Sequence, residues 1–413
     1  MKSRIKDFFI HIPHDGIAWL ACAMIILGMF VSRAMMSMGM IGLIANAIFH
    51  HQLPEHFRRF IRKPYLWLLS LYFILSALSG LWSHDKAQWM ERMQIMLPFL
   101  ILPFAFSGLG AWPKKWLSTL FSLFILLTIT GISWSLYFYF SQKDNYDLGF
   151  GFSRGIPTPF KNDHIRFSLA VVLSICFSVD LFMTTTSKIW KGMLALFTTI
   201  GIIYLHILSA KTGLLTFYII GLLFVGKLLL NPSNRKYGFI ILSAIIILPV
   251  VMYFSSAALR NKIGYFLYSL QQMKNEKKES NISDEGRLIS YGYALESIRK
   301  HPLQGVGLGD VLPTMESLYS RDFPNEKPKI LLPHNQFLMS MMAIGIGGFL
   351  LLLLQQIFLF RLALRQDFLY FSFMVMMSFT MMIEPLYETQ YGTCMFLFWL
   401  LLLLHRQTEK VIR

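Results

Sequence analysis

What most constrains this chain is a rhythm of apolar runs, each near 20 residues, separated by short polar segments. A helix needs about 20 mostly apolar residues to cross the hydrocarbon core of a bilayer. Helices and closed barrels are the only structures that satisfy their own backbone there. Twelve runs qualify as candidate spans: 17–32, 34–49, 65–82, 93–110, 116–140, 165–183, 189–208, 212–230, 237–256, 336–360, 367–383 and 391–405. The first two are short and can also be read as one broken hairpin, so the expectation is ten to twelve spans. The fold class this predicts is an all-α polytopic membrane protein with about 12 transmembrane helices. Composition agrees, with 15% charged residues against about 25% in ordinary soluble domains.

The N-terminal "MKSRIKDFF" leads through polar "HIPHDG" into an apolar run with no small-residue cleavage site. The first run therefore reads as a retained helix rather than a signal peptide. Cys22, Cys176 and Cys394 all lie inside apolar runs, with no CxxC or Cys/His spacing. They read as small apolar filler, not as a zinc site or a disulfide framework.

The net charge of +16 needs no nucleic-acid partner. In a membrane protein, Lys and Arg collect in cytoplasmic loops and set the orientation. With the N-terminus inside, the inner segments hold Lys2, Arg4, Lys6, Arg58, Arg59, Arg62, Lys63, Lys114, Lys115, Lys188, Lys191, Lys227, Arg235, Lys236, Arg361, Arg365, Arg406, Lys410 and Arg413. The short outer segments hold fewer: Arg33, Lys86, Arg92, Lys143, Arg154, Lys161, Arg166 and Lys211. The bias predicts both termini in the cytoplasm.

Three regions follow: spans one to nine over 1–256, a large polar outer loop over 257–335, and the last three spans with a cytoplasmic tail over 336–413. The loop opens with a charged stretch expected to be mobile, "QQMKNEKKESNISDEG". Next comes "RLISYGYALESIRK", where Leu288, Tyr291, Leu295 and Ile298 recur at helical spacing and predict one apolar face. "HPLQGVGLGD" ends it, with Pro302 and Gly305 as breakers.

An ionisable residue at the edge of a bilayer is a functional candidate by default. Four fall on the outer side: Lys211 in "HILSAKTGLL", Arg166 in "KNDHIRF", Arg287 at the head of the amphipathic helix, and His334 in "PHN" before span ten. Each has a plainer reading. Lys211 can snorkel from a tight turn, Arg166 can anchor at the interface, Arg287 can be solvated, and His334 can bond nearby backbone. Asn335 reads as the cap of span ten. Weaker candidates for sugar contact are Trp82 and Trp89 in "WSHDKAQWMER", and Glu384 and Tyr387 in "EPLYETQYG". The "GVGLG" run lacks the preceding strand of a nucleotide-binding loop and reads as a turn. Asp284 and Glu285 are adjacent but form no cluster that marks a metal site.

Taken in order, "GRLISYGYALESIRKHPLQGVGLGD" and "PHNQFLMSMMAIGIGGF" resemble the O-antigen ligase and polymerase family, and "SAKTG" resembles its earlier outer turn. The resemblance implies a GT-C type membrane glycosyltransferase of the bacterial inner membrane, with its active site in the periplasm, working without a metal or other cofactor. Ligases of the family move a glycan from undecaprenyl diphosphate to lipid A–core. Polymerases use a second undecaprenyl-linked glycan as acceptor. Residue by residue, Arg287 matches the arginine implicated in diphosphate binding, and His334 the histidine proposed to activate the acceptor hydroxyl. The turn departs from the pattern: Lys211 stands where Arg is expected, and Lys lacks the bidentate fork that suits phosphate. Either Lys211 or Arg166 then fills that place.

The chemistry is coherent with those roles. A diphosphate is already a good leaving group and needs cations more than an acid. A neutral imidazole suits a sugar hydroxyl as general base near pH 7. Attack from the face opposite the leaving group inverts the anomeric centre. A loop of about 80 residues with no large C-terminal domain favours a ligase over a polymerase. A twelve-span transporter of lipid-linked glycan is the alternative from another class. It would show two related halves, and none is visible by eye.

Overall fold

The computed structural model describes residues 13–150, 155–274, 283–324, 329–365 and 367–412. All regular structure among them is helical. In chain order the helices are α1 (His14–Val31), α2 (Arg33–Ile48), α3 (Leu53–Arg62), α4 (Pro64–Leu78), α5 (Lys86–Met96), α6 (Pro98–Ser107), α7 (Lys114–Ser141) and α8 (Lys143–Phe150). A one-turn helix at Pro159–Asn162 precedes α9 (His164–Thr184), α10 (Lys188–Leu208), α11 (Lys211–Leu230), α12 (Arg235–Ser255) and α13 (Ala257–Lys274). The chain ends with α14 (Ser283–Lys300), α15 (Val311–Asp322), α16 (Gln336–Ala363), α17 (Phe368–Ile383) and α18 (Gln390–Ile412).

Each expected span falls on one of these helices, except that 93–110 is shared between α5 and α6. Pro98 opens α6 there, and proline has no N–H to continue the ladder of the preceding helix. Eight helices among the described residues are long and apolar enough to cross a membrane, or nine if α2 and α3, bent by 108°, count as one broken span. The number is lower than the twelve apolar runs in part because α2 and α17 have only 16 residues each and 93–110 is divided between two shorter helices. Lys2, Arg4, Lys6, Arg154 and Arg413 of the charge pattern, and 275–282 of the charged stretch, lie outside the described residues.

The chain forms two compact units, Met1–Leu120 with Glu279–Arg413, and Phe121–Lys278. The stretch 257–335 contributes α13 to the second and α14 and α15 to the first. In the first unit the core runs along α18, where every residue from Cys394 to Leu404 is buried. Burial on all sides is why this stretch is apolar without periodicity. Phe99, Leu102, Met377 and Leu352 from α6, α17 and α16 are also fully buried. In the second unit α9 is central, and Phe177 stacks on Phe121 at 4.3 Å with nearly parallel rings. The helix at Pro232–Ser255 is the opposite case, with 6% of its apolar stretch buried. Its Phe239, Ile240, Ile246 and Phe254 are exposed, as lipid-facing side chains are. The first helix of the loop, α13, is pinned to α8 by Asn261 Nδ2 donating to the Asp147 carbonyl at 2.7 Å.

Helix α14 forms where the amphipathic helix was expected, but with a different buried face. Leu288 and Leu295 are exposed, while Ser290, Tyr293, Ala294, Ser297 and Ile298 are buried. Small residues on that face permit close packing. Tyr293 meets Tyr319 of α15 edge-on at 5.0 Å and donates to Asp322 Oδ2 at 2.9 Å.

Candidate functional site

The motif residues of the first unit are joined by a clasp between main chains. Helix α16 breaks at Ile344 (φ −127°, ψ 15°) and Gly345 (φ 69°, ψ −163°). A break frees carbonyls that a continuous helix would use. Here the Met342 and Ala343 carbonyls accept from Val306 N at 2.8 Å and Gly307 N at 3.0 Å, and Ile346 N donates to the Pro302 carbonyl at 3.0 Å. The glycine turn 301–310 is therefore docked on the broken helix. Gly305 and Gly345 both have φ near +70°. A Cβ on Gly345 would overlap the Leu303 carbonyl, and one on Gly305 would overlap main chain at 342–343. The turn also grips the segment after α4. Asp310 accepts from the backbone N–H of His84 and Asp85, both at 2.8 Å, and Gly309 N donates to Ser83 Oγ at 3.2 Å.

Glu384 joins the two main candidates. Its Oε1 accepts from Arg287 Nη2 at 2.7 Å, and its Oε2 lies 3.0 Å from His334 Nδ1. The carboxylate side chain is 9% exposed, against 26% for Arg287 and 21% for His334. Tyr291, one turn along α14 from Arg287, donates to the His334 carbonyl at 2.7 Å. Asn335 caps α16, its Oδ1 accepting from Phe337 N and Leu338 N, and its Nδ2 donates to the Met382 carbonyl at 2.9 Å. His334 is thus fixed by main chain on one side and by a carboxylate on the other. A carboxylate at Nδ1 orients the ring and directs the lone pair of the neutral form to Nε2.

The same short loop fixes a second arginine. Glu388 lies 2.9 Å from Arg92 Nη1, and both side chains are nearly buried. Burial pushes the Glu388 carboxyl up from its ordinary value, against the pull of Arg92. Tyr387 between these acids is fully buried, its ring against Tyr72, Phe99 and Phe396 at 4.7–5.5 Å. It is core beneath the loop. Trp89 is half-buried, covers Gly80 and donates from Nε1 to the Ser76 carbonyl at 3.3 Å; Trp82 is half-buried as well. Among the described residues neither indole hydrogen-bonds to Glu384.

Lys211 and Arg166 belong to the second unit, where they come from neighbouring helix starts. A Cβ on Gly213 would overlap the Ser168 side chain, so the first turns of α11 and α9 touch. Ser209 turns the chain between α10 and α11 with φ +52°. Lys211 Nζ lies over the Phe266 ring at 4.3 Å from its centre. Arg166 is ion-paired with Asp163, which also caps α9 by accepting from Arg166 N at 3.0 Å.

Sequence reasoning selected Glu384 only as a sugar contact and missed its bridging place. It counted Arg92 only as a topology charge and did not select Glu388. The available signal was "EPLYE", two acids in a short loop between apolar runs.

Residues 169–353 match the family model described as O-antigen ligase. The chain carries an O-antigen ligase family domain. Members are membrane glycosyltransferases of the ligase and polymerase type. The ligase domain includes Lys211, Arg287, the glycine turn and His334, while Arg166 precedes it and Glu384 follows it. No curated protein matches the chain.

Proposed function

We propose that this protein is an O-antigen ligase that transfers a glycan from undecaprenyl diphosphate to lipid A–core at the periplasmic face of the inner membrane. The observation that carries the reading is the carboxylate of Glu384 shared between Arg287 and His334. His334, with Nδ1 toward Glu384, offers Nε2 to the acceptor sugar hydroxyl. The hydroxyl oxygen attacks the anomeric carbon as its proton passes to Nε2. The bond from that carbon to the phosphate oxygen breaks, and undecaprenyl diphosphate leaves. Arg287 has further N–H donors beyond the one that meets Glu384, and they stabilise the charge growing on the diphosphate. Attack opposite the leaving group inverts the centre. On the second unit, Lys211 and Arg166 are read as contacts to the same class of anionic lipid-linked substrate. No step in this scheme is assigned to a metal.

The test is transfer by purified protein of an undecaprenyl-diphosphate-linked glycan, offered separately to lipid A–core and to a second undecaprenyl-linked glycan, with EDTA present. Product on lipid A–core that is lost in His334→Ala and Arg287→Ala supports the reading. Product only on the undecaprenyl acceptor makes the protein a polymerase. Undiminished transfer in both variants removes these residues from the chemistry.

A further inference from the structure

The first unit carries a second cluster of titratable groups, far from Glu384. Helix α18 starts beside the 384–388 loop, and 15 residues later His405 packs edge-on against Trp112 at 5.1 Å. That is about 22 Å along a helix axis. Trp112 Nε1 donates to Asp15 at 3.3 Å, and Asp15 adjoins His14. The 108° bend between α2 and α3 brings His50 and His51 back against His14 at this end.

Four imidazoles gather there. The His50 ring centre lies 4.1 Å from that of His14, 4.4 Å from His51 and 4.5 Å from His56. One ring nitrogen from each of His14, His50 and His51 lies within 4.8 Å of the others. We propose that His14, His50 and His51 form a binding site for a first-row transition-metal ion of the zinc class, separate from the transfer site, with its fourth position open to water or to His56.

Three features support a metal over mere stacking. The donor set is all imidazole, which suits Zn²⁺, Cu²⁺, Ni²⁺ and Co²⁺ rather than Mg²⁺ or Ca²⁺. His14, the buried member, has its Nδ1 2.8 Å from Asn46 Oδ1, and Asn46 Nδ2 donates back to the His14 carbonyl at 3.1 Å. The second bond settles which way the amide points, so the first is a ring N–H donated to its oxygen, and the His14 lone pair is at Nε2. Ligating histidines are held in this way by an outer acceptor. The other two ligands can move to close the site. Tetrahedral bonds of about 2.0–2.1 Å need nitrogens roughly 3.3 Å apart, and the three now lie within 4.8 Å of one another. His51 is exposed and His50 half-buried, both in the short turn between two helices. To bind, His50 gives up the bond that its Nδ1 accepts from Gln52 N at 3.0 Å. The result is a clip tying the start of α1 to the bend between α2 and α3.

The experiment uses the full chain in detergent, purified by a tag without histidines and stripped with EDTA. Zn²⁺ is titrated by calorimetry, and Co²⁺ is followed by its visible absorption. The expected result is one equivalent of Zn²⁺ per chain at micromolar concentration, a low-symmetry Co²⁺ band, and a higher thermal midpoint with Zn²⁺. Because His51 is exposed, His51→Ala keeps the fold and weakens Zn²⁺ at least about tenfold, while Asn46→Ala weakens it about 10- to 100-fold. His301→Ala, an exposed histidine elsewhere, binds as the unmodified protein does. Binding below one equivalent, or equal binding by the unmodified protein and a His50→Ala/His51→Ala variant, overturns the proposal and leaves a packed cluster of four imidazoles.

Discussion

Arg287 and Arg166 make an instructive pair. Each stands near the start of a helix, and each is ion-paired with one carboxylate. For Arg166 the partner is Asp163, three residues back, which also caps the same helix. For Arg287 it is Glu384, 97 residues away on another helix end, and that acid also holds a histidine. The first pair is local and serves the helix that contains it. The second is tertiary and assembles a constellation. In the proposed scheme Arg287 therefore shares its partner with the proposed general base, whereas Arg166 is tied to its own cap.

The sharpest way to break this contrast is His334→Ala, which is expected to lower transfer by about 10²- to 10⁴-fold, the range for loss of a general base. Glu384→Gln should follow with a loss of about tenfold or more, because an amide no longer fixes the imidazole through a charge-assisted bond. A transfer rate for Glu384→Gln equal to that of the unmodified protein would reduce Glu384 to a structural tie. Arg166→Ala should cost transfer less than Arg287→Ala, and an equal loss would erase the distinction between the two arginines.

Much of the fold was readable from apolar runs, since length and composition alone specify a span. The turn at 301–310 and the cap at Asn335 were also legible, because Gly, Pro and Asn act through local backbone geometry. The buried face of α14 was not. Periodicity marks apolar residues, and of those only Ile298 is buried, whereas the rest of the face that packs is made of Ser290, Ala294 and Ser297 beside Tyr293. Nor was the Glu384 junction, because nothing local distinguishes an acid that bridges two distant residues from one in a polar hairpin. Arg92 and Glu388 were hidden for the same reason.

Smaller effects refine the account of the clasp. Gly345→Ala forces a side chain into a left-handed backbone against the Leu303 carbonyl. It should destabilise the protein by about 1–3 kcal/mol, read as a lower thermal midpoint, whereas Gly347→Ala, which meets open space, should not. Asp310 offers a finer probe. Burial pushes its carboxyl up, but the N–H groups of Asp85 and His84 outweigh that and hold it below the ordinary value. Its folded pKa is thus below its unfolded one, so its contribution is complete above the usual carboxylate pKa of about 3.9 and is lost as pH falls through the folded value. Asp310→Asn should lose that part of the acid sensitivity in a thermal melt measured against pH.

The clasp between the glycine turn and the broken helix is written in main-chain atoms, and this has a consequence for how such a protein can vary. Leu303 and Gln304 are exposed and meet the broken helix only through main chain, so their side chains are free to drift. Gly305, Gly307 and Gly345 are not. A saturation mutagenesis map should therefore be tolerant at exposed Leu303, Gln304 and Gly347 and intolerant at Gly305, Gly307, Gly309 and Gly345, where a Cβ has no room, and at Asp310. Such a molecule can change its outer surface generation by generation while the hinge that holds it stays the same.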